Sequence, residues 1–200
     1  MKKIFVIVAA MAMAVSAFAQ PSVGVGYANS TSKIGDSSKK GAENGFYVEG
    51  NYAFNFGNFA VVPGLRYTYL NSTNVADFGI IGVSGKLNEH YLGVPVYGQY
   101  NFDLGAAKLF LFAGPTFNFA LSSKTTGSAV IAGASASKSF DNIKDGSLSP
   151  ADVLVGGGVG LAFNNIQIKV GYDYGLIDRN TTDLVTRHDS LLHAGVAFSF

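Results

Sequence analysis

A regular alternation of apolar and polar residues recurs along this chain, and it limits the fold more than any other feature. In residues 166–174 (IQIKVGYDY), isoleucine, valine and tyrosine occupy one phase, and glutamine, lysine, glycine and aspartate occupy the other. Side chains that alternate with a period of two lie on opposite faces of a β-strand. Residues 44–56 and 190–200 show the same pattern. The sequence therefore predicts strands with one apolar face.

Eight segments after the first 19 residues show this alternation, and no long helical periodicity interrupts them. Their predicted bounds are 21–29, 44–56, 58–70, 88–102, 108–121, 150–163, 166–175 and 190–200. The connections alternate between tight turns and long polar loops, with turns near 57–58, 103–107 and 164–165, and loops near 30–43, 71–87, 122–149 and 176–189. Alternating turns and loops of this kind are typical of a transmembrane β-barrel.

Composition supports the same fold class. Hydrophobic residues make up 48% of the chain and charged residues 14%, against roughly 25% charged residues in an average globular domain. No apolar run after residue 19 is long enough for a membrane helix. Lipid can cover the apolar phase of a sheet, provided that the sheet closes and leaves no unpaired backbone edge. We therefore predict an all-β protein, an eight-stranded antiparallel transmembrane β-barrel.

The first 19 residues have the organisation of a secretory signal peptide. Two lysines precede an apolar run, and Ala17-Phe18-Ala19 supplies small residues at a cleavage position. We expect a cleaved signal peptide at 1–19 and one barrel domain at 20–200. Without the two lysines the domain has 12 of the 14 basic residues and all 13 acidic residues, so it offers no basic surface for nucleic acid. The chain has no cysteine, which excludes disulfides and thiolate metal sites.

Three segments carry a family resemblance. They are AFAQ at 17–20, YLGVPVYGQYNFDLGAAKLFLFAGPTFNF at 91–119 and HAGVAFSF at 193–200. They resemble small bacterial outer-membrane β-barrels of the OmpA/OmpX type, and most of all the PorT-like barrel domain of Bacteroidetes. The resemblance implies a porin-like integral protein of the Gram-negative outer membrane, exported by its signal peptide and surrounded by outer-membrane lipid.

The resemblance also gives a meaning to the closing residues. Barrels of this type end on an aromatic residue that the barrel-assembly machinery recognises, with apolar residues at alternating positions before it. Phe200 matches the last position, and Phe198, Val196 and Ala194 match the spacing. The resemblance therefore implies an assembly signal at Phe198 and Phe200, and the barrel-assembly machinery as a partner of the last strand.

Two local features leave the geometry of the wall open. Pro63, Pro95 and Pro115 fall inside predicted strands, where a proline removes one donor from the ladder, and we expect bulges or bends there. In the fifth strand, Phe110 and Phe112 share a phase with polar residues. They either plug the periplasmic end of the interior or are turned outward by a bulge.

Charged residues of the polar phase form a candidate interior cluster. A turn at 57–58 pairs positions that sum to about 115, so Glu49 is expected opposite Arg66. Opposite charges at similar height favour a structural network in a filled barrel, because an unpaired interior charge is costly. A gate or proton-linked site is the alternative. The predicted cluster comprises Glu49, Arg66, Tyr97, Lys169, Asp173 and His193.

No motif for catalysis or ligand chemistry stands out. The histidines His90, His188 and His193 have polar neighbours but no motif that fixes a triad, and their spacing does not suggest a metal site. The segment VGGGVGLAF at 155–163 is not followed by the helix that a nucleotide-binding loop needs. We therefore predict no catalytic residue, no cofactor and no metal.

The function expected from these observations is structural or interactive. A monomeric barrel with a filled interior would act through its extracellular loops, chiefly 71–87 and 122–149. Two alternatives remain at this point. One is an outer-membrane enzyme that modifies lipid, and the other is a binder or transporter of small hydrophobic ligands, which includes a soluble lipocalin-like carrier.

Overall fold

The protein is a closed ring of antiparallel β-strands in the computed structural model. The signal-peptide prediction concerns residues that lie outside the described part of the chain, apart from Ala19, which begins the first strand. The structure describes residues 19–34, 40–77, 81–131, 134–145, 148–179 and 186–200. Within those ranges there is no helix long and apolar enough to cross a membrane.

Nine strands are present in the described residues. They are β1 (Ala19–Ile34), β2 (Lys40–Phe56), β3 (Phe59–Asp77), β4 (Ile81–Asp103), β5 (Lys108–Ile131), β6 (Ala134–Asp141), β7 (Ala151–Phe163), β8 (Ile166–Gly175) and β9 (Arg187–Ser199). Eight of them form the ring in the order β1-β2-β3-β4-β5-β7-β8-β9, which closes by pairing of β9 with β1. The predicted fold class and all eight predicted strands are confirmed.

Tight turns set the register of the wall. The turn between β2 and β3 contains Gly57 at φ +66°, and the turn between β7 and β8 contains Asn164 at φ +51°. Both values lie in the left-handed region that suits glycine and asparagine. The first turn aligns Glu49 with Arg66 as Cα partners, as the sequence predicted.

The two faces of the ring differ in polarity. The outward face is apolar over about ten residues of each strand, and Val25, Val48 and Ile168 are more than 40% exposed. The inward phase carries the buried polar side chains, including Glu49, Arg66 and Asp173. This distribution is the reverse of a water-soluble barrel and suits a lipid environment. The apolar face defines the membrane-facing band of the wall.

Glycines of the inward phase make room for large interior side chains. A Cβ added to Gly26 would lie 2.3 Å from the carbonyl oxygen of Ala194 and 2.5 Å from Cε1 of Tyr47. A Cβ on Gly195 would lie 2.4 Å from the hydroxyl of Tyr47. These glycines therefore leave the space that the Tyr47 ring occupies.

Bulges or bends were the two possibilities expected at the three prolines, and the strand pairing shows no bulge at any of them. Register is unchanged through Pro63, Pro95 and Pro115, although Cα pairing with one neighbouring strand is interrupted at or beside each of them. A proline removes one N–H donor but adds no residue, so the ladder loses a bond without a shift. Among the described strands, the register shifts between His90 and Tyr91, where β4 pairs with β5.

Phe110 and Phe112 point into the interior and are 2% and 5% exposed. They pack with Tyr97 near the end of the ring that carries the tight turns, which we call the inner end. The first of the two arrangements considered for the fifth strand, a plug at the periplasmic end, is therefore the one found.

Several segments predicted as loops are largely strands. Pairing continues beyond the apolar band in β3, β4 and β5, and β6 pairs with the outer end of β5. The sequence prediction was wrong here because these segments are rich in serine, threonine, glycine and lysine and show no sustained apolar phase of the kind that reveals a strand. We call the resulting four-stranded sheet the blade. It comprises residues 72–77, 81–88, 124–131 and 134–141.

Candidate functional site

The interior holds two buried networks of charged side chains, separated by an apolar layer. The central network consists of the six predicted residues Glu49, Arg66, Tyr97, Lys169, Asp173 and His193. The outer network consists of Glu43, Glu89, Tyr91, Arg179, Arg187 and Asp189. The layer between them consists of Ala28, Tyr47, Leu70, Tyr91, Leu154 and Leu191.

Arg66 is the centre of the central network. Its Nε donates to Glu49 Oε2 at 3.1 Å, and its Nη1 donates to Asp173 Oδ2 at 3.3 Å. Lys169 forms a second ion pair with Glu49. Two cations and two carboxylates thus neutralise each other in a space where Arg66 is 2% exposed and Asp173 is 0% exposed.

Aromatic side chains complete this network. The Tyr97 hydroxyl donates to Asp173 at 3.1 Å, and His193 Nε2 lies 3.4 Å from Asp173 Oδ2. The Arg66 guanidinium lies 5.2 Å from the centre of the Tyr47 ring. A cation over an aromatic face is attracted electrostatically. The six side chains expected from the sequence are therefore brought into one contact network across five strands.

Arg179 anchors the outer network. It follows β8, and its side chain is 1% exposed. Its Nη1 donates to Asp189 Oδ2 at 2.6 Å and to the Tyr91 hydroxyl at 2.7 Å, and its Nη2 donates to the carbonyl of Ser149 at 3.3 Å. The chain after β8 and the chain before β7 are thereby fixed to the barrel wall.

Arg187 joins the carboxylates on the other side of this end. Its Nε donates to Asp189 Oδ1 at 2.9 Å, and its Nη2 lies 3.7 Å from both Glu43 Oε1 and Glu89 Oε2. Glu89 also accepts bonds from the hydroxyls of Tyr91 and Ser123 at 2.5 and 2.6 Å. The outer end is thus closed by side chains from β2, β4, β5 and β9.

Burial changes the ionisation of one carboxyl in the outer network. Glu43 lies beyond the membrane-facing band, three residues outward of Phe46 on β2. Burial, followed by the neighbouring Glu89 carboxylate, raises the pKa of Glu43 to about 8. Asp189 acts in the same direction, and Arg187 acts against it. Desolvation disfavours the charged form of a carboxyl, and a second carboxylate nearby adds to that effect.

A polar cavity occupies the inner end of the ring. It has a volume of about 90 Å³ and is lined by side chains that include Asn51, Gln99, Gln167 and Lys169. At about 30 Å³ per water it holds roughly three waters. Phe110, Phe112 and the central network separate it from the outer end.

The positions of the histidines and carboxylates suit mutual neutralisation of buried charges better than catalysis. The three histidines lie apart from one another. His193 is in the central network. His90 on β4 shares a hydrogen bond of 2.6 Å with the Tyr67 hydroxyl on the outward face, and His188 on β9 stacks on Tyr174 on the same face, on strands that are not neighbours. Among the described residues, no group of three acidic or histidine side chains is arranged to hold a metal ion. Among the same described residues, no serine hydroxyl is hydrogen-bonded to a histidine ring.

The outer network was not found from the sequence. Its residues fall in segments that were read as loops, or next to them. A signal was present, however. Glu43 has the same strand phase as Glu49, and Asp189 has the same phase as His193. Each of the two carboxylates lies one residue before a predicted strand, so extending the strands 44–56 and 190–200 by that residue would have placed both side chains inside.

Phe198 and Phe200 lie on the outward face. They are 47% and 69% exposed, and their rings meet edge to face at 5.2 Å. The backbone N–H of Phe200 donates to the carbonyl of Pro21 at 3.0 Å, where the last strand joins the first. Their role as an assembly signal stays a prediction.

Comparison with known families agrees with this architecture. The outer membrane protein beta-barrel domain matches residues 18–179, which is most of the chain. The chain belongs to this family. Membership places the barrel in the outer membrane of a Gram-negative bacterium. The finer resemblance to PorT-like barrels stays a prediction. No curated protein matches the chain.

Solved structures of small outer-membrane barrels are similar to this chain at low identity. Ail, the attachment invasion locus protein of Yersinia pestis, is 19% identical, with 90% of this chain and 99% of that chain covered and a TM-score of 0.44. Neisserial surface protein A is 17% identical, with coverage of 90% and 97% and a TM-score of 0.47. The outer membrane enzyme PagL is 13% identical, with coverage of 86% and 97% and a TM-score of 0.43. Likeness at this level does not assign a function.

Removing Arg66 alone should strongly destabilise the barrel. Arg66→Met leaves Glu49 and Asp173 with Lys169 as the nearest full cation, and loss of one buried partner costs about 3–5 kcal/mol. Arg66→Met combined with Glu49→Leu keeps one cation and one carboxylate, Lys169 and Asp173, and should cost less. Urea unfolding in lipid vesicles, followed by the heat-shifted gel mobility of the folded barrel, measures both.

A surface ion pair provides the control for this experiment. Lys144 pairs with Asp141 at 3.7 Å, but its side chain is 83% exposed. Lys144→Met should change the free energy of unfolding by less than about 1 kcal/mol. Equal effects of Arg66→Met and Lys144→Met, or zero coupling between Glu49 and Arg66, would show that the central network does not stabilise the fold.

Stability of the outer end should decrease at alkaline pH. Glu43 has a pKa of about 8 in the folded barrel and 4.5 as its ordinary value, so between these values the folded state holds the extra proton. The resulting stabilisation is complete below about pH 4.5 and is lost as pH rises through about 8. Heating at about pH 6 and at about pH 9.5, read by gel mobility, tests this. Glu43→Gln should show a smaller difference between the two pH values, and an unchanged difference would contradict the assignment.

Proposed function

We propose that this protein is a closed outer-membrane barrel that presents the blade to the cell exterior and binds extracellular protein segments by strand addition. The observation that carries the proposal is the open edge of β6, which pairs with β5 on one side and with no described strand on the other. Unpaired N–H and C=O groups along a strand edge are a template for another chain.

The blade stands beyond the membrane-facing band. Pairing between β2 and β3 begins at Asn44 and Asn71, so the described outer part of β3 also lacks a neighbour on that side. From there the sheet continues across β4 and β5 to β6. The blade is built almost entirely from described parts of the two segments, 71–87 and 122–149, that the sequence singled out for surface interaction.

The edge of β6 has little protection against pairing. Its sequence is ASASKSFD, in which small residues predominate and Lys138 is the one cation. Residues 136–140 are exposed, and the Lys138 ammonium lies 4.9 Å from the centre of the Phe140 ring. Proteins usually block such an edge with several charges, a proline or a bulge. This exposed stretch of small side chains makes the edge of β6 a better binding site for a strand than the edge of β3.

The interior supports a closed barrel rather than a carrier or an enzyme. A carrier of small hydrophobic ligands needs an apolar cavity, whereas amide, hydroxyl and lysine groups line most of the cavity at the inner end, with Phe110 and Phe112 on one side. His193 lies in the interior, and His90 and His188 lie on the outward face on strands that are not neighbours, which favours a non-catalytic protein without cofactor. We also propose a monomer, because one chain closes its own ring, with assembly directed through Phe198 and Phe200.

Strand addition can be tested with displayed peptides. The folded barrel in lipid nanodiscs is screened against a library of extended peptides, and the bound peptides are titrated. Ser137 and Lys138 are adjacent on β6, so the N–H of one faces β5 and that of the other faces the free edge. Proline at the edge-facing position should weaken peptide binding about tenfold and leave the β5–β6 hairpin intact.

Amide hydrogen exchange distinguishes the two proline variants. Proline at the position facing β5 should expose amides of the hairpin, whereas the edge variant should keep their protection. Peptide binding in the wild-type protein should slow exchange along β6. Binding that both variants retain, or protection that maps away from the blade, would rule out strand addition at this edge.

A further inference from the structure

Four asparagines form a continuous row across the outward face of neighbouring strands. Asn29 on β1 is the register partner of Asn44 on β2, Asn44 is the partner of Asn71 on β3, and Asn71 is the partner of Asn88 on β4. We call this row the asparagine ladder. With strands about 4.8 Å apart, the four side chains span about 14 Å.

The ladder is built from one motif that occurs twice. In the first copy, Asn29 Nδ2 donates to Asn44 Oδ1 at 2.8 Å, and the Tyr27 hydroxyl donates to the same oxygen. In the second copy, Asn71 Nδ2 donates to Asn88 Oδ1 at 2.7 Å, and the Tyr69 hydroxyl donates to that oxygen at 3.0 Å.

These bonds leave polar groups for another molecule. The side-chain N–H groups of Asn44 and Asn88, and the side-chain carbonyls of Asn29 and Asn71, take no part in the motif. All four residues are partly or fully exposed. The surface therefore offers donors and acceptors at a spacing of about one strand, a pattern that suits the hydroxyl groups of a sugar ring.

An aromatic row lies directly on the membrane side of the ladder. It consists of Tyr27, Phe46, Tyr69 and His90, which are register partners in the same order. Ring centres of Phe46 and Tyr69 are 5.6 Å apart, and those of Tyr69 and His90 are 5.0 Å apart. Aromatic side chains of this kind mark the membrane interface in barrels.

The ladder climbs away from the membrane rather than running level. Asn29 is ten residues from Ala19, the inner end of β1, and Asn88 is fifteen residues from Asp103, the inner end of β4. With strands tilted by about 35–45° and a rise of about 3.3 Å per residue, the difference of five residues places Asn88 about 12 Å higher than Asn29. The ladder thus extends from the edge of the acyl region into the headgroup layer.

At the height of the ladder, lysines lie on the outward face of the ring and carboxylates lie in its interior. Lys124 is the register partner of Asn88, and Lys86 lies two residues beyond Asn88 on β4. Both lysines are exposed on the outward side, whereas Glu43 and Glu89 are buried inside the ring. The next residue along the row, Asp141, is paired with Lys144. The outward surface beside the ladder therefore favours an anionic partner.

We propose that the asparagine ladder and the two lysines bind the headgroup of an anionic glycolipid in the outer leaflet. The amides bind sugar hydroxyls, Lys86 and Lys124 bind phosphate, and the aromatic row packs on the upper acyl chains. On each of the four strands the aromatic residue lies on the membrane side of the asparagine, in the order in which acyl chain and headgroup follow each other in the lipid. This site is independent of the strand edge of β6.

Lipid retention by the intact barrel tests the site. The folded protein in a neutral detergent is titrated with diphosphoryl lipid A, phosphatidylglycerol or monogalactosyl diacylglycerol, and bound lipid is counted by native mass spectrometry. Diphosphoryl lipid A should bind most tightly, because it alone combines sugar and phosphate. Asn44→Leu with Asn88→Leu should weaken its binding about tenfold, and Lys86→Gln with Lys124→Gln should have an effect of similar size.

A matched polar pair outside the ladder is the control. Asn55 and Asn101 lie near the periplasmic ends of β2 and β4, more than ten residues along their strands from the ladder, so Asn55→Leu with Asn101→Leu should leave lipid binding unchanged. Each variant is checked for folding by gel mobility, and Asn44→Ser with Asn88→Ser replaces the leucine variant if that one does not fold.

Three results would overturn the proposal. The first is wild-type affinity for lipid A in folded asparagine variants. The second is equal binding of phosphatidylglycerol with equal loss in the lysine variant, which would indicate a simple cationic patch. The third is self-association of the barrel through the ladder, abolished by the asparagine variants without any effect on lipid.

Discussion

Closure of the sheet is the constraint on which the rest of this structure depends. In hydrocarbon an unpaired backbone N–H or C=O group costs several kcal/mol, and the pairing of β9 with β1 removes the last open edge from the membrane-facing band. Once the ring is closed at eight strands, its interior is only wide enough for side chains. The alternation that supplies an apolar outward face then places every other residue inside, including all the charged residues of the polar phase.

The two charge networks follow from that arrangement. Side chains such as Arg66 and Asp173 cannot leave the interior without reversing the strand phase, so the interior must neutralise them. It does so with ion pairs in the centre and again at the outer end, with an apolar layer between. At the outer end, the same alternation of strand phases places Lys86 and Lys124 on the outward face, and Glu43 and Glu89 in the interior. Closure, filling and surface charge are therefore consequences of one strand pattern.

Sequence reasoning succeeded where a single local pattern determines the outcome. Alternation and a tight turn at Gly57 were enough to align Glu49 with Arg66, and the central network followed from strand phase. It failed where structure extends beyond the apolar band. β6 has small and polar residues on both faces, so its pairing with β5 depends on a neighbour rather than on its own pattern. Arg179 enters the interior from the chain after β8, which has no strand period to predict its direction.

Conductance of the purified monomer tests the central claim, which is that the interior is filled and closed. The barrel is reconstituted in planar bilayers in about 1 M KCl, and current is recorded at a series of fixed voltages. Side chains from Phe110 to Arg179 occupy the path between the two ends, so the account predicts no stable single-channel steps, because freely conducting barrels have about 16–18 strands. Large, reproducible and long-lived steps from the monomer would contradict it.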